Sequence, residues 1–357
     1  MKGRIEKVRA ILKERQLDAI ITGHAVNRRY ISGFTGSAGV VIVSMDQAVL
    51  LTDFRYIDQA QAEAPDFTVI NHQRDEKGAI FTQLQAMGVK RLGFEKQAVS
   101  FALYEEWNTH FKGIELVPTE GMFEQLRMIK DESELAIVKE AVRIADEAFT
   151  HILSYLKPGI RERDVALELE YFMKRNGAEA AAFDIIVASG ERGALPHGRA
   201  SDKTIQSGEM VTMDFGALYK GYSSDITRTV AVGEPEPEMK QIYEIVLRAQ
   251  RNGVEKIRAG MTGREADALT RDVIAEAGYA EQFGHSTGHG LGLQVHEAPG
   301  LAMSSTTVLQ PGMLVTVEPG IYVSGLGGVR IEDDVVITEN GCEILTRSTK
   351  ELLILPV

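Results

Sequence analysis

Over the first 120 residues, short apolar runs alternate with helical patterns. Ile5, Val8, Ile11 and Leu12 recur on one face of the charged stretch from Met1 to Leu17, which predicts a folded helix. Strands are predicted at Ala19 to Thr22, Val40 to Val43, Val49 to Thr52, Phe67 to Ile70, Arg91 to Phe94 and Ile114 to Val117. Helices are predicted at about 53–64, Gly78 to Met87 and Phe101 to Phe111. The alternation reads as a small α/β domain. Pro118-Thr119-Glu120-Gly121 interrupts it. Asp131-Glu132-Ser133-Glu134 then opens a long helix with acidic residues at its amino end, where the helix dipole favours them. The boundary is placed near residue 124, which gives domains 1–124 and 125–357.

The second part repeats itself. Met210-Val211-Thr212-Met213-Asp214-Phe215-Gly216 aligns with Leu314-Val315-Thr316-Val317-Glu318-Pro319-Gly320 at an offset of 104, so two strands end in matching carboxylates. Upstream, Gly159, Arg163 and Gly177 match Gly260, Arg264 and Gly278 at an offset of 101, each set framing one helix. Val165, Leu169, Phe172 and Met173 give the first of these a single buried face. Long helices at about 133–156 and 237–258 precede them. Each half reads helix, helix, Gly/His-rich loop, β-hairpin, which predicts pseudo-two-fold α+β halves around a shared sheet.

Composition narrows the function. The 357 residues carry 39 Lys+Arg against 51 Asp+Glu, a net charge of −12, with 44% hydrophobic and 25% charged residues. That is ordinary globular composition, and its acidity argues against nucleic acid or an anionic membrane surface as partner. No uncharged apolar run approaches the roughly 18 residues of a membrane span. The single cysteine, Cys342, permits neither an internal disulfide nor a Cys-based zinc site. A cytoplasmic protein is expected.

The candidate chemistry lies in the repeated hairpins. Leu218-Tyr219-Lys220 reads as a turn, which would set Asp214 directly opposite Asp225 in an unbulged hairpin. Glu318 and Glu332 are likewise symmetric about Gly325, although Pro319-Gly320 offers a place for a bulge. Any one of these acids alone reads as a solvent-facing strand residue. Four in mirrored positions would repel one another, since directly opposed side chains lie about 4.5–5.5 Å apart. A divalent cation relieves that repulsion, so a dinuclear metal site is predicted. Three of the chain's 8 histidines, His285, His289 and His296, fall within twelve positions of a glycine-rich stretch, and His197 occupies the equivalent loop of the first half.

On these residues the sequence resembles the pita-bread metallopeptidases of family M24, in particular the proline-directed branch of Xaa-Pro aminopeptidases and Xaa-Pro dipeptidases. The resemblance covers essentially the whole chain. It implies a pita-bread carboxy-terminal domain preceded by a smaller creatinase-type α/β domain, which carries Asn27-Arg28-Arg29-Tyr30-Ile31-Ser32-Gly33-Phe34 and Thr52-Asp53-Phe54-Arg55-Tyr56. It also implies the ligand set: Asp225 and Glu332 bridge two ions, Asp214 holds one, and His289 with Glu318 hold the other.

His197, His285 and His296 are similar to the family histidines that orient the substrate and the transition-state oxygen. Tyr322 and Arg330 occupy positions found in the proline-directed branch. The implied reaction is metal-assisted hydrolysis of the bond between an amino-terminal residue and proline, with Glu318 moving the proton. Dipeptides, or longer peptides with proline second, are the expected substrates. Four carboxylates and one histidine favour Mn²⁺, with Co²⁺ or Zn²⁺ as substitutes. A homodimer is implied by the resemblance alone. The alternatives weighed are a creatinase-like hydrolase, a methionine-aminopeptidase-like hydrolase and a non-catalytic binding protein on the same fold.

Overall fold

The computed structural model describes residues 1–357, which form two compact units, Met1–Arg127 and Met128–Val357. In the first unit, α1 (Lys2–Glu14), β1 (Ala19–Thr22), α2 (Ala25–Ser32), β2 (Val40–Ser44), β3 (Ala48–Thr52), α3 (Ile57–Glu63), β4 (Thr68–Asn71), α4 (Glu76–Ala86), β5 (Arg91–Glu95), α5 (Phe101–His110) and β6 (Glu115–Thr119) follow in order. Its strands form one mixed sheet, β4-β3-β2-β1-β5-β6, and α6 (Met122–Met128) ends the unit. Ile21, Ile42, Leu51, Ile80, Leu84, Leu92 and Trp107 share its core. The expected strands are all present, while α3 starts later than expected. Asp53 accepts from the Arg55 backbone N–H and guanidinium, a local turn that competes with helix.

Helix α2 shows no apolar stripe in the sequence because its buried side mixes Tyr30 and Ile31 with polar residues. Asn27, Arg28 and Ser32 are all buried, and Arg28 donates to the carbonyls of Gly36 and Gly39. Periodicity of apolar residues does not detect such a helix.

The second unit continues with α7 (Glu132–Tyr155), α8 (Glu162–Arg175), β7 (Ala180–Ala181), β8 (Ile186–Ser189), β9 (Glu209–Phe215), β10 (Ala217–Tyr219), β11 (Tyr222–Ser223) and β12 (Ile226–Val232). Its second half holds α9 (Pro237–Lys256), α10 (Gly263–Glu276), β13 (Gly288–Gly290), β14 (Glu297–Leu301), β15 (Leu314–Val317), β16 (Gly320–Val323), β17 (Gly327–Arg330), β18 (Asp333–Ile337), β19 (Cys342–Ile344) and β20 (Ile354–Leu355). Capping boxes start α7, through Asp131 and Glu134, and α10, through Thr262 and Glu265.

The repeat is visible in the backbone. Gly159, Gly177, Gly260 and Gly278, the four glycines matched by sequence offset, all have φ between +87° and +108°, a region open to glycine at no steric cost. In each half the helix pair packs on a sheet. Ile144, Phe149, Val165 and Leu169 meet Val211, Met213 and Val230 in the first, and Val254, Ile257 and Ala266 meet Val315, Val317 and Val335 in the second.

Register decides where the carboxylates point. In the first hairpin Asp214 pairs with Thr227, not with Asp225. The turn is Lys220-Gly221, closed by the Tyr219–Tyr222 pair, with φ of 44° and 74°. Positive φ at both central residues is the two-residue hairpin turn whose twist matches the strands. It moves the centre of symmetry beyond the position expected from Leu218-Tyr219-Lys220 and leaves Asp225 diagonal to Asp214. The second hairpin needs no such correction. Val317 pairs with Asp333 and Gly320 with Arg330, so Glu318 and Glu332 stand opposite each other with no bulge between.

Candidate metal centre

The five predicted ligands converge because the two hairpins meet at the points where the second one breaks. The ladder of β15 and β18 stops at Val317–Asp333 and resumes as β16 and β17. In the gap, the N–H of Glu318 donates to the carbonyl of Thr287 (2.8 Å) and that of Glu332 to the carbonyl of Thr227 (3.1 Å). These bonds tie the second hairpin to the histidine loop and to the first hairpin. Ligand atoms of Asp225, His289 and Glu332 all lie within 4.8 Å of one another. His289 Nε2 is 3.3 Å from Glu318 Oε1 and 3.7 Å from Asp225 Oδ2.

Each donor is aimed by a neighbour. His289 Nδ1 faces the carbonyl of Gly290 at 3.0 Å. A carbonyl accepts only, so Nδ1 carries the proton and Nε2 is left as the ligand atom. Thr227 Oγ1 donates to Glu332 Oε2 (2.5 Å) and accepts from Arg330 Nε (3.0 Å). Arg330 also donates to Asp214 Oδ2 (2.5 Å), to Tyr322 and to the Pro196 carbonyl. Thr316 Oγ1 donates to Glu318 Oε1 at 3.0 Å. Asp225 receives no such partner at its carboxylate, but its N–H donates to Asp334 Oδ2 at 3.0 Å.

The residues present fit divalent ions on two observations. One oxygen each of Asp214, Asp225 and Glu332 is buried with no hydrogen-bond partner, a costly arrangement that a cation satisfies. Burial, reinforced by the neighbouring carboxylates, also pushes Asp225 and Glu332 well above the ordinary range. Burial pushes Asp214 up as well, against the pull of Arg330. Glu318 is the exception. Burial acts against its charge, but the hydrogen bond and charge of His289, with His285 and Arg330, hold it down to about 2. The protein's own charges thus leave one carboxylate ionised and three strained.

The remaining candidates surround this centre. A cavity of about 630 Å³ is lined by the five ligands and by His197, His285, His296 and Arg330. Tyr322 is joined to it through Arg330 and His285. His285 has both ring nitrogens engaged, Nδ1 with the Ser286 carbonyl and Nε2 with the Tyr322 hydroxyl, each at 2.8 Å. Nδ1–H therefore points away, and Tyr322 donates to Nε2 while accepting from Arg330. Burial lowers the pKa of His285, and burial with nearby His289 lowers that of His296. Burial pushes Tyr322 up to about 12.

Three residues here were not singled out from sequence. Thr227 and Asp334 stand two positions beyond Asp225 and Glu332 respectively, which is the same strand face, and that parity was the available signal. Arg199 lines the cavity wall beside His197.

The chain matches the model of metallopeptidase family M24 over residues 136–339 and that of the creatinase/prolidase N-terminal domain over residues 4–129. It belongs to metallopeptidase family M24. Within that family it is similar to the Xaa-Pro dipeptidase of Pyrococcus furiosus, with 42% identity over 99% of this chain and 100% of the relative. A solved Xaa-Pro dipeptidase from Bacillus anthracis superimposes with a TM-score of 0.97 at 53% identity, covering 99% of both chains. An X-Pro aminopeptidase from Thermotoga maritima does so with a TM-score of 0.91 at 40% identity, over 96% of this chain and 99% of the other. The fold is therefore a creatinase-type amino-terminal unit followed by a pita-bread domain. No helix is long and apolar enough to cross a membrane.

Proposed function

We propose that this M24 peptidase hydrolyses the bond between an amino-terminal residue and proline, as a cytoplasmic homodimer loaded with two Mn²⁺ ions. The observation that carries the reading is the convergence of Asp214, Asp225, His289, Glu318 and Glu332 on one cavity, with unpaired buried oxygens on three of them. The names of its relatives supply the substrate class. Asp214, Asp225, His289, Glu318 and Glu332 would hold the ions. The hard, oxygen-rich donor set supports Mn²⁺, and the dimer rests on family resemblance. The catalytic domain is assigned to residues 125–357 and the creatinase-type domain to 1–124.

The chemistry that a bound ion pair supplies is acidification of a shared water and polarisation of the scissile carbonyl. The chain's own residues do the rest. Glu318 Oε1 accepts from Thr316 Oγ1, which fixes the carboxylate at the cavity, where Glu318 takes the proton from water and returns it to the proline nitrogen. His296 stands exposed at the cavity with its ring 4.2 Å from that of His289. A neutral His296 donates one hydrogen bond to the carbonyl oxygen as charge develops there. His285 acts through Tyr322, holding the hydroxyl that Arg330 also orients. The proline nitrogen has no N–H to donate, so recognition falls to the ring, which His197, His296 and the apolar wall of Phe183, Ile186 and Val295 accommodate.

Metal-reconstituted hydrolysis tests the reading. Protein loaded with Mn²⁺ is expected to cleave an Xaa-Pro dipeptide, to lose the activity to chelator, and to leave the matched Xaa-Ala dipeptide at least about tenfold slower. Folded, metal-loaded protein with no chelator-sensitive cleavage of any Xaa-Pro substrate sinks it.

A further inference from the structure

The cavity is lined by two cations, Arg330 and Arg199, in opposite circumstances. Arg330 is 3% exposed, and its guanidinium is committed to Thr227, Tyr322, Pro196 and Asp214. Arg199 is anchored through its backbone: it bridges Ile186, its N–H donates to the His197 carbonyl, and its own carbonyl accepts from Arg192. Its side chain is 77% exposed and paired only with Asp184, itself 70% exposed, at 2.8 Å.

An Xaa-Pro dipeptide carries its free carboxylate one atom from the proline nitrogen, within the same cavity as the scissile bond. There it leaves bulk water, and Asp214, Asp225, Glu318 and Glu332, neutralised by the ions they would hold, offer it no donor, while Asp184 on the wall is a like charge. An incoming carboxylate therefore needs a cation whose donors are not already committed. Arg199 meets that need, since a solvent-facing carboxylate such as Asp184 is exchanged for another without leaving the guanidinium unpaired. The planar fork of arginine suits bidentate pairing with a carboxylate.

Resting on the Xaa-Pro reading above, we propose that Arg199 is a specificity-determining residue that binds the free carboxylate of an Xaa-Pro dipeptide in exchange for Asp184, and so selects dipeptides over longer chains. A longer peptide carries a neutral amide at that place and gains nothing from the guanidinium. Asp184 holds Arg199 in position before binding and competes with the substrate during it.

The test compares an Xaa-Pro dipeptide with its carboxy-terminal amide on the same Mn²⁺-loaded enzyme. R199M is expected to lower the acid-to-amide ratio of kcat/KM by about tenfold or more through KM on the acid. R199K restores part of the ratio, because a point charge replaces the fork. D184N lowers KM for the acid. Equal losses on acid and amide show that Arg199 only supports the wall, and an unchanged ratio shows that it does not meet the carboxylate; either result overturns the inference while leaving the Xaa-Pro reading intact. Failure of the unmutated enzyme to cleave acid or amide removes that reading, and this inference with it.

Discussion

The two hairpins that carry the metal-binding carboxylates descend from the same sequence pattern yet are built differently. The first, β9 with β12, is a seven-pair ladder from Glu209–Val232 to Phe215–Ile226 with Asp214 inside it, and it divides at Asp225, beyond which β10 and β11 reach the turn in a separate sheet. The second is divided, with β15 and β18 in one sheet and β16 and β17 in another. Glu318 and Glu332 sit in that division, where their N–H groups leave the hairpin for Thr287 and Thr227. In the first hairpin one acid lies within the ladder and one in the division, where the Asp225 N–H donates to Asp334; in the second both acids lie in the division, which turns their backbone donors outward and joins the parts of the centre. A break in a ladder is thus a positioning device, provided that each released donor finds a new carbonyl.

Support for the ligands differs in the same way. Glu332 of the second hairpin is oriented by Thr227 of the first, and Asp214 of the first is oriented by Arg330 of the second. The exchange is reciprocal. Behind it, Arg228 and Asp333 form a buried ion pair that Lys350 and Gln250 complete, and Arg228 also donates to the Glu332 carbonyl. Asp333 has both oxygens satisfied, whereas Asp334 has one oxygen without a partner.

The largest expected effect tests whether the two hairpins share one centre. D225N in the first and E332Q in the second should each lower kcat/KM by on the order of a thousandfold or more, because each removes a ligand from both proposed ions. A near-normal rate in either variant separates that hairpin from the chemistry. The next effect concerns the cross-hairpin bonds. T227V deletes the hydroxyl shared by Glu332 and Arg330, and calorimetric titration with Mn²⁺ should show about a 10–100-fold loss of affinity. T316V, which removes support from within the same hairpin, should cost less. Equal losses would remove the distinction between bonds within and between hairpins.

A third expectation follows from charge. Asp225 and Glu332 have folded-state pKa values above their unfolded ones, so they favour folding below their ordinary values near 4. That contribution is lost as pH rises through the folded values. Chelator-treated protein should therefore lose thermal stability from these groups as pH rises above about 4, and the rise in Tm on adding Mn²⁺ should be larger at higher pH than at pH 5. Glu318, held low, works the other way, and its contribution is lost as pH falls towards 2. A Tm increment independent of pH contradicts the assignment of strain to the two bridging acids.

The smallest effect probes the turn that separates the registers. Lys220 has φ of 44° before Gly221, where asparagine is better suited. K220N should stabilise the first hairpin by about 0.5 kcal/mol, read by denaturant unfolding, with KM unchanged. Destabilisation would show that the turn depends on the lysine side chain.

Sequence alone determined the four candidate carboxylates, the repeat and most of the element order, because each rests on local pattern: acids at matched offsets, glycines framing helices, and apolar periodicity. The second register was legible for the same reason, since a hairpin centred on Gly325 carries its symmetry outward residue by residue. The first was not, because Lys220 adopts a positive φ that its residue type does not announce. Helix α2 escaped because polar residues share its buried face with Tyr30 and Ile31, and Arg28 among them is satisfied by carbonyls that only folding delivers. Which hydroxyl aims which carboxylate, that both nitrogens of His285 are engaged, and that Arg330 is fully committed while Arg199 is paired only with an exposed carboxylate were decided by tertiary structure. Each depends on atoms a hundred or more residues apart, or on loop conformations that no spacing encodes, and the burial that raises Asp225 and Glu332 while His289 lowers Glu318 exists only once those segments have met.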